Sequence, residues 1–221
     1  MKNSDSLCLN GKPFKKDIEN EIGYSVEVEN DANCFAISEA FDGAGSKANT
    51  VFGVILGTGV GAGIVIGKKI HVGKNKIAGE WGHNPLPWAN EGELPGKKCY
   101  CGRTGCLETF ISGPAIEREF KNLQGKHLNM KNIVRESGAG NLKAEQVIKN
   151  LEDRLARALA HVINILDPDS IVLGGGLSNI DRLYSNVPKI WAEYIFSDDV
   201  STVLSKARFG DSSGVRGAAW L

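Results

Sequence analysis

Residues 50–66 read T-V-F-G-V-I-L-G-T-G-V-G-A-G-I-V-I, and this stretch decides the fold class of the 221-residue chain. Thr50–Leu56 is apolar and rich in β-branched residues, which predicts a buried strand. Ile64–Ile66 predicts a second strand after the glycines. The stretch contains the G-x-G-x-x-A pattern of dinucleotide sites, but that pattern needs a helix after the glycines. The sequence therefore predicts a strand–glycine turn–strand hairpin.

Alternating glycines over Gly57–Gly63 strip side chains from one face of this hairpin. A phosphate could then lie on backbone N–H groups, with the Thr58 hydroxyl beside it. A merely flexible turn is the alternative, but it does not require glycine at every second position. A second glycine run, Gly174-Gly175-Gly176, follows a predicted strand at Ser170–Leu173, and a helix is predicted further on. Alone it fits a tight turn equally well, but two such loops favour a nucleotide between them.

A cluster of potential metal ligands lies between residues 83 and 108. His83, Cys99, Cys101 and Cys106 form the ligand set of a closed structural zinc site. Buried free cysteines and a disulfide are the alternatives. Three cysteines within eight residues, between charged and glycine-rich flanks, fit core packing poorly, and Cys99 and Cys101 are too close to pair comfortably. We therefore predict structural zinc, beside the carboxylates of Glu80 and Glu108.

The remaining pattern alternates helices and strands, which indicates an α/β protein. Predicted helices are Phe14–Ile22, Ala32–Phe41, Leu107–Phe120, Ala144–Leu166, Arg182–Tyr194 and Ser212–Trp220; predicted strands also include Tyr24–Glu29 and Ile70–Val72. Asn30-Asp31 follows a predicted strand, where α/β proteins place chemistry. Asp31 is therefore either a proton acceptor for a substrate hydroxyl, an N-cap, or both.

Composition limits the function classes. Lys+Arg and Asp+Glu both number 26, and this balance argues against a dedicated nucleic-acid binder. No apolar stretch approaches the ~20 residues of a membrane span. The polar start Met1–Ser6 does not resemble a secretory signal. We expect a cytoplasmic protein whose thiolates bind metal, with no nucleic-acid or membrane partner.

These features resemble the ROK family of sugar kinases and repressors. The matching segments are 29–34 (E-N-D-A-N-C), 56–63, 79–83 (G-E-W-G-H), 99–108, 167–178 and 210–219. The resemblance implies an α/β actin-like ATPase (ribonuclease H-like) fold: a remnant of the first domain at 1–45, and a second domain at 46–221 that contains the zinc loop 79–108. The C-terminal helix 212–221 is expected to pack back on the first domain.

The resemblance also implies residue roles and partners. Asp31 is implied as catalytic base; Asn30, Asp31, Glu80, His83 and Glu108 as sugar ligands; and His83, Cys99, Cys101 and Cys106 as zinc ligands. ATP phosphates are implied at Gly57, Thr58, Gly59, Val60, Gly61, Ala62, Gly63 and Ile64, and adenosine near Gly174, Gly175 and Gly176. The implied partners are a hexose, ATP with Mg²⁺, and a second copy of the chain in a homodimer.

The amino-acid sequence of residues 79–88 and 99–113 is most similar to that of bacterial fructokinases, so we expect a fructokinase. An N-acetylglucosamine kinase and a sugar-responsive repressor are the alternatives; the intact Asn30–Asn33 stretch favours a kinase. A zinc-ribbon interaction module is disfavoured by the neutral charge and the glycine loops. Family members open with an Asp-x-Gly-Gly-Thr phosphate loop that this sequence lacks. We therefore expect a truncated gene model or fragment, with little kinase activity from the 221 residues alone.

Overall fold

The structure is a computed structural model that describes residues 7–221. In this part of the chain, five strands form one mixed sheet in the order β3-β2-β1-β4-β5. The strands are β1 (Thr50–Leu56), β2 (Val60–Ile66), β3 (Lys69–Ile70), β4 (Ser170–Gly174) and β5 (Val203–Lys206). β2 is antiparallel to β1 and β3, whereas β1, β4 and β5 run parallel. The carboxyl ends of β1 and β4 therefore lie side by side, each followed by glycines.

Helices cover both faces of the sheet. They are α1 (Phe14–Ile22), α2 (Asp31–Phe41), α3 (Glu108–Ile111), α4 (Gly113–Gln124), α5 (Met130–Gly138), α6 (Leu142–Leu166), α7 (Leu183–Trp191) and α8 (Ser213–Ala218). One face of β1 carries Phe52, Val54 and Leu56 into a core shared with α6. Val51 on the other face packs with α2. Since both faces are buried, β1 is apolar throughout instead of alternating.

Glycines allow α2 to lie directly on the sheet. Gly53 and Gly63 are cross-strand partners beneath this helix. A Cβ on Gly63 would lie 2.6 Å from the carbonyl oxygen of Ala32, and one on Gly53 would lie 2.8 Å from Ala36 Cβ. On the opposite side, a Cβ on Gly217 of α8 would lie 1.6 Å from the carbonyl oxygen of Cys34. α2 is thus held between the sheet and α8, at distances that only glycine permits.

Several sequence predictions are confirmed. The strand Thr50–Leu56 and the helix Phe14–Ile22 have the predicted bounds, and Gly23 ends the helix with φ 73°. α2 and α6 begin within two residues of their predicted starts. The division into domains 1–45 and 46–221 stays a prediction.

Other predictions are wrong. Residues 24–29 form no strand, because among the described residues no neighbouring strand supplies their backbone hydrogen bonds. The helix predicted over 107–120 is two helices, since Ser112 adopts extended backbone and caps α4 through Ala115 N–H. β2 already begins at Val60, so its glycines belong to the strand and only residues 57–59 turn. α5 and β5, which are only nine and four residues long, were not predicted.

Arg182 fastens α7 to α6. Its guanidinium donates to Glu145 at 2.6 Å and to Glu152 at 2.6 Å. The hydrogen bonds from Arg182 and from the Ser137 hydroxyl lower the pKa of Glu145 to about 2. Within residues 7–221, no helix combines the length and the apolar character needed to cross a membrane.

Candidate functional site

The first half of β2 is the strand around which the predicted site residues gather. The segment 79–82 crosses it closely, because Gly79 and Gly82 have no side chains. A Cβ on Gly79 would lie 2.2 Å from the carbonyl oxygen of Ala62, and one on Gly82 would lie 2.1 Å from that of Val60. This contact fixes the segment that carries Glu80, whose side chain is exposed.

The first turn of α2 reaches the same part of β2. A Cβ on Gly61 would lie 3.3 Å from Ala32 Cβ. Asn30 is the N-cap residue, and its Oδ1 accepts a hydrogen bond from Ala32 N–H at 2.9 Å. Asp31 Oδ1 accepts from the same N–H at 2.9 Å. Asn30 therefore takes the N-cap position that the sequence offers to Asp31, and the exposed Asp31 keeps Oδ2 available.

The predicted metal ligands converge. One ligand atom from each of His83, Cys99, Cys101 and Cys106 lies within 4.8 Å of all the others. Cys101 Sγ lies 3.6 Å from Cys106 Sγ, and His83 Nδ1 lies 3.5 Å from Cys99 Sγ. Two thiolates on a tetrahedral zinc ion stand about 3.8 Å apart. The donor set and its spacing therefore fit a zinc ion.

A short antiparallel pairing builds the frame of this candidate metal centre. Pro85 pairs with Cys106, and Lys98 pairs with Thr104. Leu107 N–H donates to the carbonyl oxygen of Asn84 at 2.8 Å. The pairing ends there, because Trp81–His83 forms a 3₁₀ turn on one side and Glu108 begins α3 on the other.

The three thiols affect one another's ionisation. Burial, together with hydrogen bonds to Cys101 and Cys99, raises the pKa of Cys106 to about 12. Burial also raises the pKa of Cys99, whereas the backbone N–H of Arg103 lowers that of the exposed Cys101. A cluster of this kind ionises fully only when a cation offsets the negative charge.

His83 carries a second contact that the sequence did not predict. Its Nε2 lies 2.9 Å from the hydroxyl of Tyr100, which stands between two of the cysteines. Such a partner fixes the orientation of a metal-binding imidazole. The resemblance implies a sugar hydroxyl at this nitrogen, so a sugar there must share it with Tyr100.

The turn 57–59 is held from behind by the segment that follows the last cysteine. Gly113 N–H donates to the carbonyl oxygen of Gly57 at 2.8 Å, and Val60 N–H donates to Glu108 Oε2 at 3.0 Å. Among the described residues, the backbone N–H groups of Thr58 and Gly59 have no hydrogen-bond partner. Two free, adjacent N–H groups at the end of a strand suit an anionic ligand.

A cavity of 740 Å³ opens beside this turn. Its lining comprises Gly57, Thr58, Gly113, Pro114, Glu117, Met130, Lys131, Val134, Gly176, Leu177, Asn179 and Ile180. Of the second glycine run, Gly176 lines the cavity. A Cβ on Gly174 would lie 2.4 Å from the Phe35 ring, and a Cβ on Gly175 would lie 2.5 Å from the carbonyl oxygen of Leu56. These two glycines therefore serve close packing.

The residues predicted to bind ATP phosphates also fall into two groups, one at the cavity and one within β2. Gly57 and Thr58 line the cavity, and Gly59 completes their turn. Val60, Gly61, Ala62, Gly63 and Ile64 lie in β2, where Gly63 is covered by α2. Gly61 and Gly63 therefore serve close packing against α2, and phosphate binding at the glycine run stays a prediction.

Comparison with known proteins shows the family of this chain. The sequence pattern of the ROK family matches residues 1–221. The N-acetyl-D-glucosamine kinase of Vibrio vulnificus strain YJ016 is 40% identical over 215 residues, which span 96% of this chain and 71% of that protein. The chain belongs to the ROK family, and its relatives include sugar kinases.

Solved structures share the fold. The ROK hexokinase of Thermus thermophilus superposes with a TM-score of 0.85 at 29% identity, over 96% of this chain and 69% of that one. A Streptomyces griseus ROK glucokinase, solved with glucose and AMPPNP, gives 0.82 at 29%, over 95% and 72%. A ROK transcriptional regulator, a homolog of the E. coli MLC protein, gives 0.79 at 28%, over 93% and 53%. The fold is therefore the actin-like ATPase fold of this family.

Sequence reasoning missed the residue that fastens the loop 79–108 to α6. Arg157 is 2% exposed and uses all five of its N–H donors. They reach the carbonyl oxygens of Pro87 and Trp88 at 3.1 and 2.9 Å, and the carboxylates of Glu93 and Asp153. The sequence signal that could have identified Arg157 is an arginine among Leu155, Ala156, Ala158 and Leu159. An apolar stretch of helix excludes an unpaired charge, so such an arginine is expected to have buried partners.

We expect Arg157→Met to destabilise the protein by about 3 kcal/mol or more, because it leaves Glu93 and two carbonyl groups buried without this partner. Denaturant unfolding measures the change. Arg135→Met is the matched control, since Arg135 is exposed on α5. Equal stability of the two variants would contradict a fastening role.

The pH dependence of the protein's stability should follow the ionisation of Glu93. Burial by itself raises the pKa of Glu93, but hydrogen bonds from Arg157 and Arg154 lower it below its usual value. The resulting stabilisation is complete above the unfolded pKa of about 4.3 and is lost as pH falls through the folded pKa. The stability difference between the wild type and Arg157→Met should therefore narrow below about pH 4.3.

Proposed function

We propose that this protein is an ATP-dependent kinase of N-acetylglucosamine. The observation that carries the proposal is the convergence on residues 60–63 of β2. The Asp31 end of α2, the Glu80 segment and Glu108 all contact that strand. The turn 57–59 joins the same strand to the cavity. A hydroxyl acceptor, polar sugar ligands and free N–H groups for phosphate thus share one short strand.

The choice of sugar rests on the relatives. Vibrio proteins at about 40% identity are named N-acetyl-D-glucosamine kinases. The expectation that fructose is the substrate rests on sequence similarity in two short segments. The match to the N-acetyl-D-glucosamine kinase spans 96% of the chain. N-acetylglucosamine, the alternative at the sequence level, is therefore the better-supported substrate.

A sugar-responsive repressor remains the second candidate, since a regulator shares the fold at a TM-score of 0.79. Asp31 favours a kinase. Its Oδ1 accepts the Ala32 N–H, which leaves Oδ2 for a proton that a binding-only protein does not need to accept.

In the proposed reaction, Asp31 Oδ2 accepts the proton of the sugar hydroxyl as that oxygen attacks the terminal phosphorus of ATP. The bond from this phosphorus to the bridging oxygen breaks, and ADP leaves with the electron pair. Glu80, His83 and Glu108 hold other sugar hydroxyls, and the adjacent N–H groups of Thr58 and Gly59 bind phosphate oxygens. Adenosine occupies the cavity lined by Gly176. Mg²⁺ bound to ATP neutralises phosphate charge.

We expect the purified chain to bind N-acetylglucosamine at least about tenfold more tightly than fructose, because a site shaped for the acetamido group leaves polar groups unpaired with other sugars. Isothermal titration calorimetry measures both dissociation constants, with glucose as reference sugar. Tighter binding of fructose would restore the fructokinase hypothesis.

Asp31→Asn should lower turnover about 100-fold or more while sugar affinity changes little, because the amide keeps the size of the side chain but accepts no proton. The assay couples ADP release to NADH oxidation and uses the protein as its own cells make it. Asp17→Asn, on the exposed side of α1, is the control. Undiminished turnover would exclude Asp31 as base.

We further propose that the four-ligand cluster binds one structural zinc ion. The support is the imidazole and three thiols within 4.8 Å, with spacings that match tetrahedral coordination. Zinc would hold the loop rigid and offset the thiolate charge, and with four protein ligands it leaves no position for a reacting water.

One equivalent of zinc should therefore co-purify, and Cys101→Ser should lose it and lower the melting temperature of the protein. Elemental analysis gives the metal content and calorimetry the melting temperature. Cys8→Ser, at an exposed cysteine outside the cluster, should keep both. Zinc-free protein from a chelator-free purification would refute the assignment.

A further inference from the structure

Glu108 joins two parts of the site that the proposed function treats separately. It is the second residue after the metal-site Cys106 and the first of α3. Its Oε2 accepts the Val60 N–H at 3.0 Å. Val60 is the residue at which the turn 57–59 ends and β2 begins. Glu108 thus ends the loop 79–108 and contacts the end of the turn 57–59.

The contact with the turn is close. A Cβ on Gly59 would lie 2.8 Å from Glu108 Oε2, so a side chain there would displace the carboxylate from its present position. The other bonds of the turn are Gly57 N–H to the Gly59 carbonyl oxygen at 3.0 Å and Gly113 N–H to the Gly57 carbonyl oxygen at 2.8 Å. Glu108 supplies the side chain that holds this turn.

The second oxygen of Glu108 is available. Oε1 has no hydrogen-bond partner among residues 7–221, and the side chain is half-buried. The proposed function places a sugar hydroxyl at this carboxylate. A sugar hydroxyl at Oε1 and the Val60 N–H at Oε2 therefore act on one orientation of the same carboxylate.

We propose that Glu108 is a positioning residue that couples sugar binding to nucleotide binding. A sugar hydroxyl on Oε1 fixes the carboxylate, Oε2 then holds Val60 in place, and the N–H groups of Thr58 and Gly59 are ordered for phosphate. Nucleotide that binds first orders the same turn and thereby the same carboxylate for the sugar. The ordering cost is met once, by whichever ligand binds first, which makes the two binding events cooperative. This inference rests on the proposed kinase function.

The test measures the dissociation constant of AMPPNP by calorimetry on the full chain, with and without saturating N-acetylglucosamine. In the wild type we expect the sugar to lower this constant about tenfold, and the nucleotide to tighten sugar binding by the same factor. In Glu108→Ala and Gly59→Ala the factor should fall below about twofold. The double variant should lose no more than either single variant, because both changes break one contact.

Glu91→Ala is the control, since Glu91 is an exposed carboxylate of the same loop; it should retain the tenfold factor. Gly59→Ala keeps the test sharp if Glu108→Ala fails to fold. Wild-type protein that binds both ligands with independent affinities would overturn the coupling alone. Tenfold coupling retained in both folded variants would overturn the role of Glu108. Wild-type protein that binds neither ligand would overturn the proposed function, and the coupling with it.

Discussion

The close approach of backbone to backbone at β2 is the constraint on which the rest of the structure depends. Gly61 and Gly63 admit α2, and Gly79 and Gly82 admit the segment that carries Glu80. A Cβ at Gly63, Gly79 or Gly82 would meet a carbonyl oxygen at 2.6 Å or less, which real Cβ atoms do not tolerate. Because glycine removes that barrier, groups from distant parts of the sequence reach one short strand.

Two fastenings then hold the long loop between β3 and α3. At one end, four ligand side chains gather where a zinc ion fits. In the middle, Arg157 binds the loop carbonyls of Pro87 and Trp88 and pairs with Glu93. Arginine suits this position, since its planar fork satisfies several acceptors at once and stays charged when buried. The loop is therefore ordered although its regular structure is limited to two 3₁₀ turns, Trp81–His83 and Glu91–Glu93, and two isolated bridges.

The fold by itself does not decide between catalysis and regulation, because kinases and a transcriptional regulator share it. Particular atoms favour catalysis. Asn30 caps α2, which leaves one oxygen of Asp31 uncommitted at the surface of an otherwise buried helix. An uncommitted carboxylate oxygen that can accept a proton suits phosphoryl transfer, a reaction in which positioning and charge neutralisation dominate.

The sequence by itself determined the strand at 50–56, the long helix before Asp167 and the membership of the metal cluster. Those features depend on local apolar pattern and on side-chain chemistry, both of which are written in consecutive residues. Only the tertiary structure showed that Gly63 serves helix packing, that Arg157 fastens the loop, and that Glu108 reaches Val60. Each of these is a contact between segments far apart in sequence, and such a contact follows from how the sheet brings them together.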